Sequence, residues 1–144
     1  MIIQSVELQD FRNYSSLEIR PDKGINIFYG KNAQGKTNIL ESVYVGCTSR
    51  SHRSSKDREL IRFDRDAAHI KINLLKKDMP HRIDMHIKKN NAKGIALNGV
   101  PIRRISQLFG IANVVMFSPE DLHIIKNGPS DRRRFMDMEL CQLN

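Results

Sequence analysis

The chain has 144 residues, 40% of them hydrophobic and 28% charged, which is enough for one domain with a real core and argues against intrinsic disorder. Lys and Arg number 24 against 16 Asp and Glu, a formal net charge of +8, so a polyanionic partner is indicated and nucleic acid is the first candidate. No apolar run approaches the roughly 18 residues of a membrane span and no export leader opens the chain, so a cytoplasmic protein with no membrane contact is expected.

In chain order, Val6 and Leu8 alternate with Glu7 and Gln9, which predicts a half-buried strand. Leu17 and Ile19 alternate with Glu18 and Arg20, a second short strand. Pro21-Asp22-Lys23-Gly24 is turn chemistry. The apolar run Ile25–Tyr29 before a glycine predicts a buried strand. Residues 36–46 predict a helix with Ile39, Leu40, Val43 and Tyr44 on one face. A polar, basic loop over 48–55 follows, then a short helix over 55–61. Ile70, Ile72 and Leu74, then Ile83, Met85 and Ile87, predict a hairpin with one dry face and one basic face, turning at 76–80. Asn98-Gly99 marks another tight turn.

Val114–Phe117 predicts a second buried strand, Pro119 a new turn or short helix, and Ser130-Asp131 the cap of a helix over 132–143. That helix reaches Asn144 without a Gly cap, a Pro or a closing strand, which reads as a cut from a longer chain or a small domain ending in a frayed helix. No repeat, low-complexity tract or linker divides the chain. Cys47 and Cys141 match no metal spacing and read as reduced thiols.

One stretch carries chemistry. Gly30-Lys31-Asn32-Ala33-Gln34-Gly35-Lys36-Thr37 matches G-x-x-x-x-G-K-[ST] at every fixed position, after a strand-like run and before a helix. The two glycines permit backbone angles that a side chain forbids and leave space for phosphate oxygens. The loop amides converge on an anion, and the positive end of the following helix points at the same place. Lys36 sets an ammonium against the β- and γ-phosphates, and the Thr37 hydroxyl is a hard ligand for Mg2+. Hydrolysis also needs a second acid at the end of an apolar strand. Val114–Phe117 runs into Ser118-Pro119, with Glu120 and Asp121 only afterwards, so nucleotide binding is better supported than turnover.

The positive excess is local. Residues 50–93 hold 13 Lys or Arg and 6 Asp or Glu, whereas the rest of the chain holds 11 and 10. This middle is either a well-solvated surface or one that faces phosphates.

The residues Leu8-Gln9-Asp10-Phe11-Arg12-Asn13-Tyr14, then Gly30 through Ser42, resemble the RecF family of recombination mediators. Arg50-Ser51-His52-Arg53, Asp57–Ile61, Phe117–Leu122 and Asp131–Asp137 fit the same resemblance. It implies an α/β fold: a P-loop NTPase, specifically an ABC-type ATPase head. Residues 1–144 would be the N-terminal part of lobe I, a mixed sheet with antiparallel hairpins around a P-loop helix, ending where the helical lobe II starts. The cofactors implied are ATP and Mg2+. The implied partners are DNA at single-strand/double-strand junctions or gaps, a second copy in an ATP-dependent homodimer, and RecR and RecO in recombinase loading. The signature motif and the Walker B carboxylates lie later in the family, so a full ATPase site is not expected within these residues.

By the same resemblance, Gly30 to Thr37 and Asn38 bind nucleotide, and Arg12 matches a position that reaches the nucleotide in Rad50-like heads. Glu120 is a candidate Mg2+ ligand, sitting where ABC proteins carry a glutamine. Arg50, His52, Arg53 and Lys56 face either the adenine side of the nucleotide or DNA, and Lys76, Lys77, Lys88 and Lys89 are DNA-contact candidates. The competing reading is a non-hydrolysing basic DNA-binding module with a regulatory nucleotide site. A small P-loop kinase would need an acceptor lid and an acidic base, and neither is visible.

Overall fold

A computed structural model describes residues 1–118 and 128–143. Its frame is a six-stranded sheet in the order β2-β1-β3-β4-β5-β6, every pairing antiparallel. The strands are β1 (Ile2–Phe11), β2 (Tyr14–Ile19), β3 (Ala67–Lys76), β4 (Met79–Lys88), β5 (Asn91–Leu97) and β6 (Val100–Pro101). The helices are α1 (Lys36–Thr48), a single 3-10 turn (Asp57–Leu60), the short α2 (Ser106–Phe109) and α3 (Pro129–Leu143). The Lys77-Asp78 and Asn98-Gly99 hairpin turns have positive φ at both central residues, as two-residue turns that match strand twist require.

The predicted alternation sets the core. Ala68, Ile70, Ile72 and Leu74 of β3 and Ile83, Met85 and Ile87 of β4 are buried, and Val6, Leu8 and Phe11 of β1 join them. Val45 of α1, with Leu60 and Leu108, closes the cluster from the helical side. The opposite sheet face carries the expected basic side chains, with two of them paired to acids. Lys71 is bonded to Glu7 at 3.0 Å and Arg82 to Asp84 at 2.8 Å, so cross-strand and same-strand acids compensate much of its charge.

Helix α1 lies close on β3 because Gly46 lacks a side chain. A Cβ there would run into the Ile72 Cδ1 and approach Cγ1 to 3.3 Å. Gly46→Ala is expected to lower stability by about 1–2 kcal/mol through overpacking, read as a lower urea midpoint at unchanged slope.

Two predicted strands do not form. Ile25–Tyr29 is irregular, with no ladder partner among the described residues, and Ile25 and Tyr29 are each 91% exposed. A strand needs a neighbour for its backbone groups, and apolar composition does not supply one. Val114–Phe117 is likewise unpaired as a strand, with Val115 and Phe117 exposed. Its Val114 N–H is donated instead to the Gln142 Oε1 of α3 at 2.7 Å.

These two segments border a groove of about 390 Å3 lined by Ile39, Leu40, Val43 and Tyr44. The apolar face foreseen on α1 therefore looks into this groove, while the sheet covers a second face through Ser42, Val45 and Gly46. Helix α3 starts at Pro129, so Ser130 and Asp131 lie inside it rather than capping it, because proline's fixed φ suits the first helical position. The expectation for Pro119 lies outside the described residues.

Candidate nucleotide-binding site

The loop between Tyr29 and α1 is shaped by left-handed backbone. Gly30 has φ 144°, Ala33 φ 63° and Gly35 φ 95°. Gly35 is the N-cap of α1, and its carbonyl accepts from the Asn38 N–H at 2.8 Å. A Cβ on Gly35 would fall 2.6 Å from Asn13 Nδ2 and 2.7 Å from the Tyr14 hydroxyl, so glycine is required twice over, by conformation and by space. No side chain caps α1 and no acid sits in its first turn, which leaves its positive end open to an anion.

Lys36 lies across the mouth of this loop. Its ammonium donates to the Gly30 carbonyl at 2.6 Å and the Lys31 carbonyl at 2.5 Å, both at exposed positions. Thr37 follows at an exposed position on the first turn. Lys31, Asn32, Ala33 and Gln34 are exposed around the rim. Asn38 donates to Asn13 Oδ1 at 2.8 Å, and so ties the helix start to the β1–β2 turn. The loop amides, the open helix end, a lysine and a hydroxyl suit a polyphosphate with its magnesium ion.

Beside the loop sits a buried acid that sequence reasoning missed. Glu41 is fully buried on α1 and takes two bonds from Arg12, Nε at 2.9 Å and Nη2 at 2.7 Å. Ser51 donates to it at 2.5 Å, and Arg53 Nη1 approaches to 3.8 Å. Burial pushes this carboxyl up, but the bonds from Arg12 and Ser51 and the charges of Arg12 and Arg53 outweigh it, so its pKa lies below the ordinary 4.5. Arg12 also donates to the Glu59 carbonyl and to Ser54 Oγ. Its guanidinium is thus turned to the acid and the adjoining loop. Arg53 also reaches the P-loop helix, donating to Asn38 Oδ1 at 3.1 Å.

The remaining candidates do not share one surface. Arg50 and Lys56 are exposed, and the His52 ring meets Tyr44 edge-on at 5.8 Å. Lys76 and Lys77 lie at the turn end of the β3–β4 hairpin, and Lys76 donates to the Gly110 carbonyl. Lys88 and Lys89 lie at the other end, about 30 Å away along ten-residue strands. The four lysines therefore form two separate patches. Glu120 lies outside the described residues. Cys47 is buried, and burial raises its pKa to about 12, which keeps it a thiol.

A family model described as "AAA domain" matches residues 5–142. The chain belongs to the AAA-domain family and is RecF-like along its whole length. It is 65% identical to the DNA replication and repair protein RecF of Lachnospira eligens and 50% identical to that of Clostridium acetobutylicum, in each case over all 144 residues. It spans 40% of the length of both relatives. A solved RecF–ATP structure, described as a recombination mediator in the RecFOR pathway, superposes with a TM-score of 0.93. That match has 33% identity and covers 99% of this chain and 39% of that one. An SMC ATPase structure matches at TM-score 0.73 and 22% identity, covering 96% of this chain and 99% of that one, a likeness of fold. The fold is a P-loop ABC-type ATPase head. Among the described residues no helix is long and apolar enough to cross a membrane.

Proposed function

We propose that this chain is the ATP-binding part of a DNA-repair ATPase head, the N-terminal portion of lobe I. In the longer protein, ATP-joined heads would form a homodimer that holds DNA at single-strand/double-strand junctions or gaps and helps load recombinase with RecR and RecO, in the cytoplasm. The observation that carries this reading is the P-loop: left-handed Gly35 opens an uncapped helix with Lys36 across the mouth.

The residues divide the work. Amides of Gly30–Thr37 bind the phosphates, and Lys36 leaves the carbonyls of Gly30 and Lys31 to contact the β- and γ-phosphate oxygens. Thr37 would offer its hydroxyl to Mg2+, which when bound would supply positive charge against the phosphates. Asn38 and Arg53 form the rim, and Asn13 and Tyr14 fix the width of the loop. The apolar groove beside α1, lined in part by the exposed Phe28, Val115 and Phe117, supports seating the rest of the head there.

The test uses the full-length protein on gapped DNA. Sedimentation with ATP should give a dimer bound at the gap, and with ADP a monomer. The competing reading, a basic DNA module indifferent to ATP, has exposed Lys77, Lys88 and Lys89 in its favour. It requires equal, salt-sensitive DNA affinity with and without ATP, weakened by charge reversal at Lys76, Lys77, Lys88 and Lys89.

A further inference from the structure

Lys93 lies on β5, the fifth strand of the sheet, outside every motif of the sequence. It sits two residues before the half-buried Ile95, on the same face of the strand, and its side chain is only 17% exposed. Its ammonium donates to the Ser49 carbonyl and to Asp57 Oδ1 at 2.9 Å. Those two residues are the ends of one loop. Ser49 is the left-handed C-cap of α1, at φ 60°, and Asp57 begins the 3-10 turn. A lysine near a helix C-terminus satisfies a carbonyl that the helix leaves open.

Between those ends lie the residues that meet the P-loop helix. Ser51 bonds Glu41, Arg53 reaches Asn38, and Ser54 accepts from Arg12. The Ser51 hydroxyl also accepts from the Arg53 and Ser54 amides, which fixes the middle of the loop as a turn. One cation on the neighbouring sheet closes the loop at its base, and one buried acid holds it at its tip.

We propose that Lys93 is a positioning residue that ties both ends of the 49–57 loop and thereby sets Arg53 at the rim of the phosphate site. The role in nucleotide affinity rests on the proposed function, whereas the effect on the loop does not. Lys93→Met keeps the apolar stem and removes both bonds. In nucleotide-free protein, amide exchange over 50–56 should quicken about tenfold, with β3 and β4 exchanging as before. ATP affinity should fall roughly fivefold rather than vanish, because the loop still samples its bound position. Lys93→Arg, which keeps the charge, should restore most of both.

Unchanged exchange over 50–56 in Lys93→Met would overturn the proposal. If that variant fails to fold, Asp57→Ala, which removes the acceptor, decides: faster exchange confined to 50–56 supports the tie, and unchanged exchange refutes it. Faster loop exchange in Lys93→Met, alongside a wild-type chain that does not bind ATP, would instead count against the nucleotide reading alone.

Discussion

Lys36→Met is expected to abolish ATP binding while leaving the fold intact. Among the described residues the ammonium donates to two exposed carbonyls, Gly30 and Lys31, which water can satisfy in its absence. On the proposed function, the same group would make charge-assisted bonds to the anionic oxygens of a bound triphosphate. Two such bonds at roughly 1.5–3 kcal/mol each make the loss at least a hundredfold in affinity. Isothermal calorimetry with Mg·ATP measures it, with circular dichroism as the folding control. Wild-type affinity in the variant would mean that phosphate is held elsewhere.

Glu41→Gln is expected to be the most destabilising single change considered. It removes the charge that two arginines share, and leaves Arg12, itself 19% exposed, facing a neutral amide. Breaking one side of such a pair costs about 3 kcal/mol, at the low end because the arginine keeps some contact with water. The pH dependence has a definite sign. The folded carboxyl titrates below its ordinary 4.5, so its stabilisation is fully present above that value and is lost as pH falls through the folded pKa. Urea unfolding at pH 7 and pH 3 should therefore give a gap between wild type and variant that is large at neutral pH and shrinks on acidification. A gap independent of pH would mean that shape rather than charge makes Glu41 matter.

The sequence exposed those parts of the site whose chemistry is local. Gly30, Gly35, Lys36 and Thr37 are legible because each is required by the backbone or phosphate geometry within eight consecutive positions. The β3–β4 hairpin is legible because alternation directly reports which face is buried. Glu41 was not, because its partner Arg12 is 29 positions earlier and no periodicity links them. Lys93 was hidden for the same reason: its partners Ser49 and Asp57 lie 44 and 36 positions away. Ile25–Tyr29 and Val114–Phe117 have strand composition without strand structure, since the ladder that makes a strand is a property of the neighbour. Helix α1 explains the remaining ambiguity. It is apolar on two sides, so the stripe through Leu40 and Val43 marks the groove and not the sheet contact.

On the proposed function, the backbone of residues 30–37 grips phosphate. Amide NMR of the wild-type chain titrated with Mg·ATP tests this most directly. Large shifts and slowed exchange are expected at the amides of Gly30 through Asn38, with the amides of β3 and β4 unmoved. ATP binding that leaves those loop amides unperturbed, or shifts that appear only at Lys76, Lys77, Lys88 and Lys89, would contradict that reading.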